Sequence, residues 1–386
     1  MVSSDKSTIT IGMVAGEHSG DQLAAGFIAE WLKKYPNTRF VGIGGPRMKA
    51  LGFISLYDMD SLTALGFIEP LKKSAYLLKV YLKLKSYFTE NRPHCFIGID
   101  FKDFNLRLSA ALKKKSIKTI QYVGPTIWAW RPNRVFTVKN AVDHILLLYP
   151  FEPPYYNKHQ IGATYVGHPF ADEIPFINDA RKAKEKLKLN PNLPLLALLP
   201  GSRVSEIKGL ANSFVNAGLI LKEKWPELQL IAAQNESHAT QCRKLFDESG
   251  GEDIPIIIDS TRDVLSACDY VLLASGTASL EAMLFKKPMV VAYKVGRITA
   301  WLFKRFFLIS NIALPNILIG RKRVPEYLQE KVTPINLANE LNALMSKKNN
   351  EKLLNEFNRQ HKILKKGAHQ TAVKAVEKLI FDEGQI

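Results

Sequence analysis

The sequence contains little cysteine. Three cysteines occur among 386 residues, at positions 95, 242 and 268, and none forms a Cys-x-x-Cys pair. Thiols so far apart provide neither a readable disulfide framework nor the paired spacing of a structural zinc site. A reducing compartment suits them, and we expect a cytoplasmic protein. The N-terminal segment lacks a basic start followed by a long apolar stretch, so no signal peptide is predicted.

Long hydrophobic runs and acidic residues are also scarce. The sequence has no run of about 18 apolar residues, so no membrane-spanning helix is predicted. Asp and Glu number 36 against 53 Lys and Arg, which gives a formal net charge of +17. So large a surplus of one sign indicates an anionic partner, which could be a nucleic acid, a phosphorylated substrate or an acidic membrane surface.

Several familiar motifs are missing. The sequence has no G-x-x-x-x-G-K-[ST] phosphate loop, and "GIGG" at 42–45 does not match the dinucleotide pattern G-x-G-x-x-G. Ser275 lacks the G-x-S-x-G frame of a hydrolase nucleophile. "DMD" at 58–60 matches a D-x-D metal signature, but so short a match arises easily by chance, and no metal site is predicted. No RNA- or DNA-binding module is evident, so nucleic acid is not expected as a partner.

What the chain does contain is a long alternation of short β-rich runs and helical patterns. Strands are predicted at 8–14, 39–44, 95–100, 118–123, 144–149, 163–167, 195–200, 228–233, 255–259, 270–275 and 288–293. This alternation is typical of βαβ units on parallel sheets. We predict an α/β fold with two doubly wound, Rossmann-like domains at 1–175 and 190–335, a cleft between them, and a helical tail at 336–386.

The stretch "AGEHSGD" at 15–21 joins the first predicted strand to a helical pattern. Gly16 and Gly20 permit a tight turn and the close approach of a ligand. Ser19 is expected to cap the helix. Glu17 precedes the helix and is expected to point into the cleft.

A second acidic loop, "GIDFKDFN" at 98–105, follows the predicted strand 95–100. Asp100 or Asp103 could act as a general base on a hydroxyl group if it lies within hydrogen-bonding distance. Simple helix capping by Asp103 or Asn105 explains the same residues equally well, so both interpretations stay open.

Two loops in the second half of the chain suit an anion. In "LLPGSR" at 198–203, the backbone N–H groups at a helix start, together with an arginine, form an anion site. In "ASGTASLE" at 274–281, exposed amides and hydroxyls suit a diphosphate, and an acid one turn later could bind ribose hydroxyls. An ordinary turn with a surface arginine is the alternative at the first loop. The candidate sugar-nucleotide residues are Gly201, Ser202, Arg203, Ser275, Gly276, Thr277 and Glu281.

Two segments, 65–88 and 296–310, mix apolar and basic side chains. Such stretches can lie in the plane of a membrane interface, or they can bury the apolar side in the core and leave the lysines in solvent. The two interpretations carry equal weight here. The apolar residues that could meet acyl chains or lipid are Leu71, Leu77, Leu78 and Leu82 in the first segment and Trp301 and Phe306 in the second.

Taken in order, these motifs resemble one family, the lipid A disaccharide synthases, which are inverting glycosyltransferases of the GT-B fold. Further matching stretches are "GGPRM" at 44–48, "YVGPTIWAWR" at 122–131, "FEPPYY" at 151–156 and "LPNILIGR" at 314–321. The matches run from residue 14 to about residue 321. One departure is "FK" at 101–102, where the family often has Ala-Pro.

The resemblance implies a reaction. UDP-2,3-diacylglucosamine would donate its sugar to the 6-hydroxyl of 2,3-diacylglucosamine 1-phosphate (lipid X), giving a β-1,6 disaccharide 1-phosphate and UDP in lipid A biosynthesis. No cofactor and no metal are expected. The protein would attach peripherally to the anionic inner face of the inner membrane, and a homodimer is left open. A UDP-sugar epimerase or hydrolase of the same fold is the main rival.

The resemblance also implies residue roles. Asp103 is the first choice for the base, with Glu17 and Asp100 as the other acidic candidates. Arg203 and the amides of residues 275–277 would stabilise the diphosphate leaving group. Asn316, in "LPNILIGR", would contact the nucleotide from its far side.

Overall fold

The computed structural model describes residues 8–59, 62, 70–296, 311–346 and 350–381, and only the backbone of 70–74. The chain forms two compact units. The first comprises Met1–Asp172 together with Leu364–Ile386, and the second comprises Glu173–Ile363. Each unit contains one parallel sheet, as the alternating sequence pattern predicts.

The elements alternate along both units. The strands are β1 (Thr10–Ala15), β2 (Arg39–Gly44), β3 (Ile54–Asp58), β4 (Cys95–Ile99), β5 (Lys118–Tyr122), β6 (His144–Leu147), β7 (Gly162–Tyr165), β8 (Leu195–Leu199), β9 (Gln229–Gln234), β10 (Ile256–Ile258), β11 (Tyr270–Ala274), β12 (Met289–Tyr293) and β13 (Glu326–Leu328). The helices are α1 (His18–Leu32), α2 (Pro46–Lys49), α3 (Pro70–Asn91), α4 (Lys102–Lys113), α5 (Arg134–Ala141), α6 (Pro153–Asn157), α7 (Pro169–Glu173), α8 (Ala180–Lys186), α9 (Val204–Lys224), α10 (Glu236–Asp247), α11 (Thr261–Ala267), α12 (Thr277–Leu284), α13 (Leu314–Ile319), α14 (Pro334–Ser346), α15 (Glu351–Leu364) and α16 (Ala368–Phe381).

The first sheet has seven strands in the order β3-β2-β1-β4-β5-β6-β7. Strands β1 and β4 are parallel neighbours, and the strand order reverses between them. The loops that follow two such strands diverge, which opens a crevice at the carboxyl edge of the sheet where ligands bind in open α/β folds. Glu17 follows β1 and Asp100 follows β4, so the topology brings both acidic loops to this crevice.

The second sheet has six strands in the order β10-β9-β8-β11-β12-β13, and its order reverses between β8 and β11. The loop after β8 begins at Pro200 and the loop after β11 begins at Ser275. The two loops that the sequence analysis selected as anion sites therefore meet at the second switch point.

The helices after residue 336 are divided between the units. Helix α14 and most of α15 lie within the second unit, whereas α16 lies within the first. Ala372 and Val376 of α16 pack in one apolar cluster with Phe27 and Trp31 of α1. Helix α16 thus helps to cover the first sheet.

Two strands, β3 and β13, are absent from the sequence prediction. Both lie at sheet edges, and every residue of β3 and β13 keeps some exposure. An edge strand has a neighbour on one side only and needs no continuous apolar run. The strongest sequence signal for a buried parallel strand is consequently missing from both segments.

Candidate functional site

The loop after β1 places Glu17 in extended backbone at the N-cap position of α1, with no capping hydrogen bond from its side chain. Its side chain lines a cavity in the first unit. Ser19 was expected to cap this helix, and that expectation is wrong. The helix begins at His18, so Ser19 lies inside its first turn and is exposed.

The two glycines of the same loop differ in the space around them. A Cβ atom at Gly16 would clash with the ring of Phe101. Gly20 is buried, and a Cβ atom there would meet Ala15 and the carbonyl oxygen of Ile99 at ordinary contact distance. The structure therefore gives a packing reason for glycine at position 16 alone, and the expectation that the two glycines admit a ligand stays a prediction.

Asp21, the last residue of "AGEHSGD", has a role that the sequence analysis missed. Its buried carboxylate accepts hydrogen bonds from the amides of Gly45 (2.9 Å), Arg47 (3.0 Å) and Met48 (3.1 Å). It thereby caps α2, whose first residue is a proline and whose N-cap is a glycine without a side chain. One carboxylate thus joins the motifs "AGEHSGD" and "GGPRM".

The loop after β4 turns sharply into α4. Asp100 and Phe101 both adopt left-handed backbone conformations, with φ of 47° and 35°. Such conformations persist when neighbouring groups hold them. Here the amide of Asn105 donates to the carbonyls of Ile99 (3.2 Å) and Asp100 (3.1 Å), and the amide of Gln121 donates to the Asp100 carbonyl (3.0 Å). The side-chain amides of Asn105 and Gln121 therefore hold the backbone of the acidic loop.

The three candidate acids differ in their ionic partners. Asp100 forms an ion pair with Lys102 (2.8 Å), and Asp103 forms one with Arg134. The Asp103 side chain is 85% exposed. Glu17 has no cationic partner among the residues that the structure describes. Two of the three carboxylates at the first switch point are thus neutralised by a cation of the same cavity.

These acids line a cavity of about 820 Å³ in the first unit. One part of its wall is charged and another is apolar. The lining residues include Glu17, Asp100, Lys102, Asp103, Arg107 and Arg134 as charged groups, and Leu77, Leu78, Tyr81, Phe101 and Phe104 as apolar groups. A ligand with both a polar head and a hydrocarbon portion matches such a wall.

Glu152 is a further acid near the same edge of the first sheet, and it was not among the predicted site residues. Its buried carboxylate accepts hydrogen bonds from the Tyr149 amide (3.0 Å) and the Trp128 indole (3.3 Å). Burial raises the pKa of Glu152 to about 7, against the opposing effect of these hydrogen bonds. Because Trp128 follows β5 and Tyr149 follows β6, Glu152 ties two loops at the carboxyl edge.

We expect Glu152 to make stability depend on pH. Its pKa of about 7 exceeds the ordinary value of 4.5, so between these values the native state binds more protons than the unfolded state. The free energy of unfolding therefore falls as pH rises through this window, by on the order of 3 kcal/mol from this one group. Urea unfolding at pH 5 and pH 8 should show a smaller drop for Glu152→Gln than for wild type. Equal drops in the two proteins would contradict the assignment.

In the second unit, the backbone amides of Ser202 and Arg203 already have a hydrogen-bond acceptor within the protein. The Glu206 carboxylate accepts hydrogen bonds from the amides of Ser202 (3.1 Å) and Arg203 (3.3 Å), and it pairs with the Arg203 guanidinium (2.9 Å). It lies close to Gly201, whose φ is 112°. This is a capping box, and it occupies the amides of Ser202 and Arg203. The Arg203 guanidinium is exposed and lines the same cavity, with Glu206 as its ionic partner.

The start of α12 is open in part. Ser275 is engaged, because its amide donates to the Ala292 carbonyl (3.0 Å) and its hydroxyl donates to the Ile312 carbonyl (2.9 Å). Within the described part of the chain, the amides of Gly276, Thr277 and Ala278 have no hydrogen-bond acceptor. Unpaired amides at a helix start attract anions. The groups at this loop that could bind a diphosphate are therefore the amides of Gly276, Thr277 and Ala278.

These groups line a cavity of about 330 Å³ in the second unit, and Glu281 lies in its wall. Burial raises the pKa of Glu281, and Arg262 opposes this effect. The Arg262 guanidinium donates to Glu281 (2.8 Å) and to Glu173 (2.7 Å). Glu281 is thus oriented by a cation on the neighbouring helix α11.

Asn316 was expected to contact the nucleotide, and the structure assigns it a different role. The side chain is fully buried. Its amide nitrogen donates to the Val324 carbonyl (2.8 Å) and to Glu326 (2.7 Å), and its oxygen accepts from the amides of Arg323 (2.7 Å) and Val324 (2.8 Å). These four bonds use its full hydrogen-bonding capacity, so the expectation of direct contact is replaced by a structural role.

Helix α3 carries the first of the two predicted membrane segments. Val80, Leu84 and Phe88 are buried, whereas Leu78 and Leu82 are 57% and 53% exposed. The helix therefore has apolar residues on its inner and outer faces, and packing in the core accounts for the inner face only. The side chain of Leu71 and the residues Trp301 and Phe306 lie outside what the structure describes. No described helix is long and apolar enough to cross a membrane.

Potential metal ligands are dispersed. Among the described residues, no group of three or more His, Cys, Asp or Glu side chains could hold a metal ion. Asp58 ends β3, but Asp60 lies outside the described residues. All three cysteines are buried free thiols.

Solved structures with related folds cover almost the whole chain at low sequence identity. The UDP co-structure of MnaA from S. aureus matches with a TM-score of 0.66 and 12% identity over 98% of this chain and 99% of that chain. The calicheamicin glycosyltransferase CalG4 matches with a TM-score of 0.58 and 13% identity, covering 98% of this chain and 100% of that chain. Together with the two parallel sheets, these likenesses show the GT-B fold.

Sequence comparison is more specific. The family model for lipid-A-disaccharide synthetase matches residues 11–379. The lipid-A-disaccharide synthase of Vibrio parahaemolyticus is 43% identical over 96% of this chain and 98% of its own length. That of Aliivibrio fischeri is 42% identical over 97% of this chain and 98% of its own length. The chain therefore belongs to the lipid-A-disaccharide synthetase family.

Proposed function

We propose that this chain is a glycosyltransferase that condenses two lipid A precursors, as the synthase relatives are named to do. The donor is UDP-2,3-diacylglucosamine, and the acceptor is lipid X, joined through its 6-hydroxyl. The observation that carries the proposal is the family match along residues 11–379. The two cavities support it, because one offers acids beside an apolar wall and the other offers free amides beside an acid.

In this proposal the second unit binds the nucleotide. The amides of Gly276 and Thr277 meet the diphosphate at the start of α12, where the helix dipole also favours negative charge. The exposed Arg203 guanidinium adds a positive charge at the same cavity. Glu281, oriented by Arg262, accepts hydrogen bonds from the ribose hydroxyls.

The first unit binds the acceptor and supplies the base. Asp103 takes the proton from the acceptor hydroxyl, and the oxygen then attacks the anomeric carbon of the donor sugar. The bond from that carbon to the diphosphate oxygen breaks, UDP leaves with the electron pair, and the configuration inverts. Arg203 and the α12 amides stabilise the leaving charge. Glu17 orients the hydroxyl, and Asp100 remains the third acidic candidate.

Gly276 offers a test of the diphosphate assignment. A Cβ atom at this position meets nothing within 4 Å, and the backbone is extended, so Gly276→Ala should leave the free energy of unfolding unchanged. The added methyl would, however, stand where the diphosphate must approach the amides. We expect UDP affinity to fall about tenfold or more by titration calorimetry, since the charge-assisted hydrogen bonds lengthen. Unchanged UDP affinity would argue against the assignment.

We further propose peripheral attachment to the anionic inner face of the inner membrane. Both substrates carry acyl chains, so the cavity that binds them must be reached from the bilayer surface. The outer face of α3 presents Leu78 and Leu82 beside Lys79 and Lys83, a pattern suited to an interface with anionic lipid.

Mass spectrometry of the reaction products tests the function directly. Purified protein with UDP-2,3-diacylglucosamine and lipid X should yield UDP and a disaccharide monophosphate that carries all four acyl chains. Omission of lipid X should abolish product. Conversion of the UDP-sugar without an acceptor would instead favour an epimerase or a hydrolase.

A further inference from the structure

Three cations share the first-unit cavity with the candidate acids. Lys102 and Arg134 each pair with an aspartate, as described above. Arg107 is exposed, lies one helical turn beyond Asp103 on α4, and has no acidic partner among the residues that the structure describes. The cavity therefore offers an uncompensated guanidinium beside a second one that is engaged by an exposed carboxylate.

The wall of this cavity also contains an aromatic and aliphatic surface. Phe101 and Phe104 stack with ring centroids 5.4 Å apart, and Tyr81 meets Phe104 edge-on at 6.3 Å. Leu77 and Leu78 continue this surface along α3. Guanidinium groups beside a hydrocarbon wall fit a ligand that carries both a phosphate and an acyl chain.

We propose that Arg107 and Arg134 bind the phosphate monoester of the acyl-sugar acceptor, and that this phosphate takes Arg134 from Asp103. The inference rests on the proposed function and names its acceptor subsite. In the resting protein Arg134 neutralises Asp103. When the acceptor phosphate engages Arg134, the Asp103 carboxylate becomes free to accept a proton from the hydroxyl.

The exchange of partners is physically reasonable. The Asp103 side chain is 85% exposed, and ion pairs in such positions contribute little to stability. A phosphate group carries more charge than a carboxylate, and guanidinium groups bind it through two parallel hydrogen bonds. The phosphate therefore competes well for Arg134. Without an acceptor, Arg134 pairs with Asp103, as the structure shows.

The test compares two acceptors, lipid X and the same diacylglucosamine without its phosphate. The quantity measured is the ratio of their kcat/KM values in detergent micelles. Wild type should prefer lipid X, and Arg107→Gln should reduce that preference about tenfold or more. Lys114→Gln removes the same charge from an exposed residue at the far end of α4 and should keep the preference. An unchanged ratio in Arg107→Gln would overturn the proposal.

Arg134→Gln tests the release of Asp103. Its preference for lipid X should fall as well, because kcat/KM should drop more for lipid X than for the acceptor that has no phosphate to engage Arg134. An equal loss with both acceptors, in a variant folded by circular dichroism, would mean a merely structural role and would refute the exchange.

A binding measurement separates this inference from the proposed function. Titration of lipid X without any donor should give weaker binding to Arg107→Gln than to wild type, whether or not disaccharide is ever formed. If lipid X binds as expected and no disaccharide appears, the proposed function fails while the phosphate subsite stands. If disaccharide forms and Arg107→Gln binds lipid X normally, the subsite fails alone.

Discussion

Asp103→Asn should lower kcat by about two to four powers of ten, the usual contribution of a general base. The substitution preserves the size of the side chain and removes its ability to accept the hydroxyl proton. Asp103 lies in the first unit, and the cavity that we propose for the nucleotide is lined by residues of the second, so UDP affinity should stay close to that of wild type. Steady-state kinetics with both lipid substrates and UDP calorimetry measure the two quantities.

The comparison needs two further variants. Asp253→Asn changes an exposed acid outside both cavities and should behave like wild type. Glu17→Gln alters the candidate acid without a described cationic partner and should have the smaller effect on kcat. Near-normal turnover in Asp103→Asn, with a large loss in Glu17→Gln, would transfer the base assignment to Glu17.

Leu78→Ser combined with Leu82→Ser should weaken binding to anionic vesicles by about thirtyfold. Each side chain exposes about half its surface, so its transfer into lipid contributes about 1 kcal/mol, and two such losses correspond to this factor. Leu77 is left unchanged, because it packs partly against the core cluster of the first unit. Co-sedimentation with phosphatidylglycerol vesicles measures the binding, and UDP affinity should be unaffected.

A matched control variant tests whether the loss of vesicle binding is specific to α3. Ile177 and Ile335 are 88% and 64% exposed in the second unit, and replacing both with Ser removes comparable apolar surface from residues outside α3. This control should sediment like wild type. Added salt should weaken the attraction of Lys79 and Lys83 to lipid phosphates while the leucine contribution persists. If the α3 variant is folded and still sediments like wild type, α3 is not the docking surface.

The sequence by itself determined the architecture and which loops carry the candidate polar residues. Each buried strand of a parallel sheet is a short apolar run, and each run is followed by a turn, so the alternation is readable without neighbours. Because the loops after such strands share one edge of a sheet, Glu17, Asp100 and Asp103 could be assigned to the edge of the first sheet and Gly276, Thr277 and Glu281 to that of the second. Strands β3 and β13 were not predicted, since both lie at sheet edges and lack a continuous apolar run.

Only the tertiary structure decided which of these polar groups remain available. Glu206 fills the amides at 202 and 203, Asn316 is saturated by four hydrogen bonds, and Ser275 is held by residues 17 and 37 positions away in sequence. Asp21 caps a helix 24 to 27 residues further on, and burial raises the pKa of Glu152. Side-chain hydrogen bonding and desolvation depend on which distant segments the fold packs together, and local residue patterns do not encode those partners.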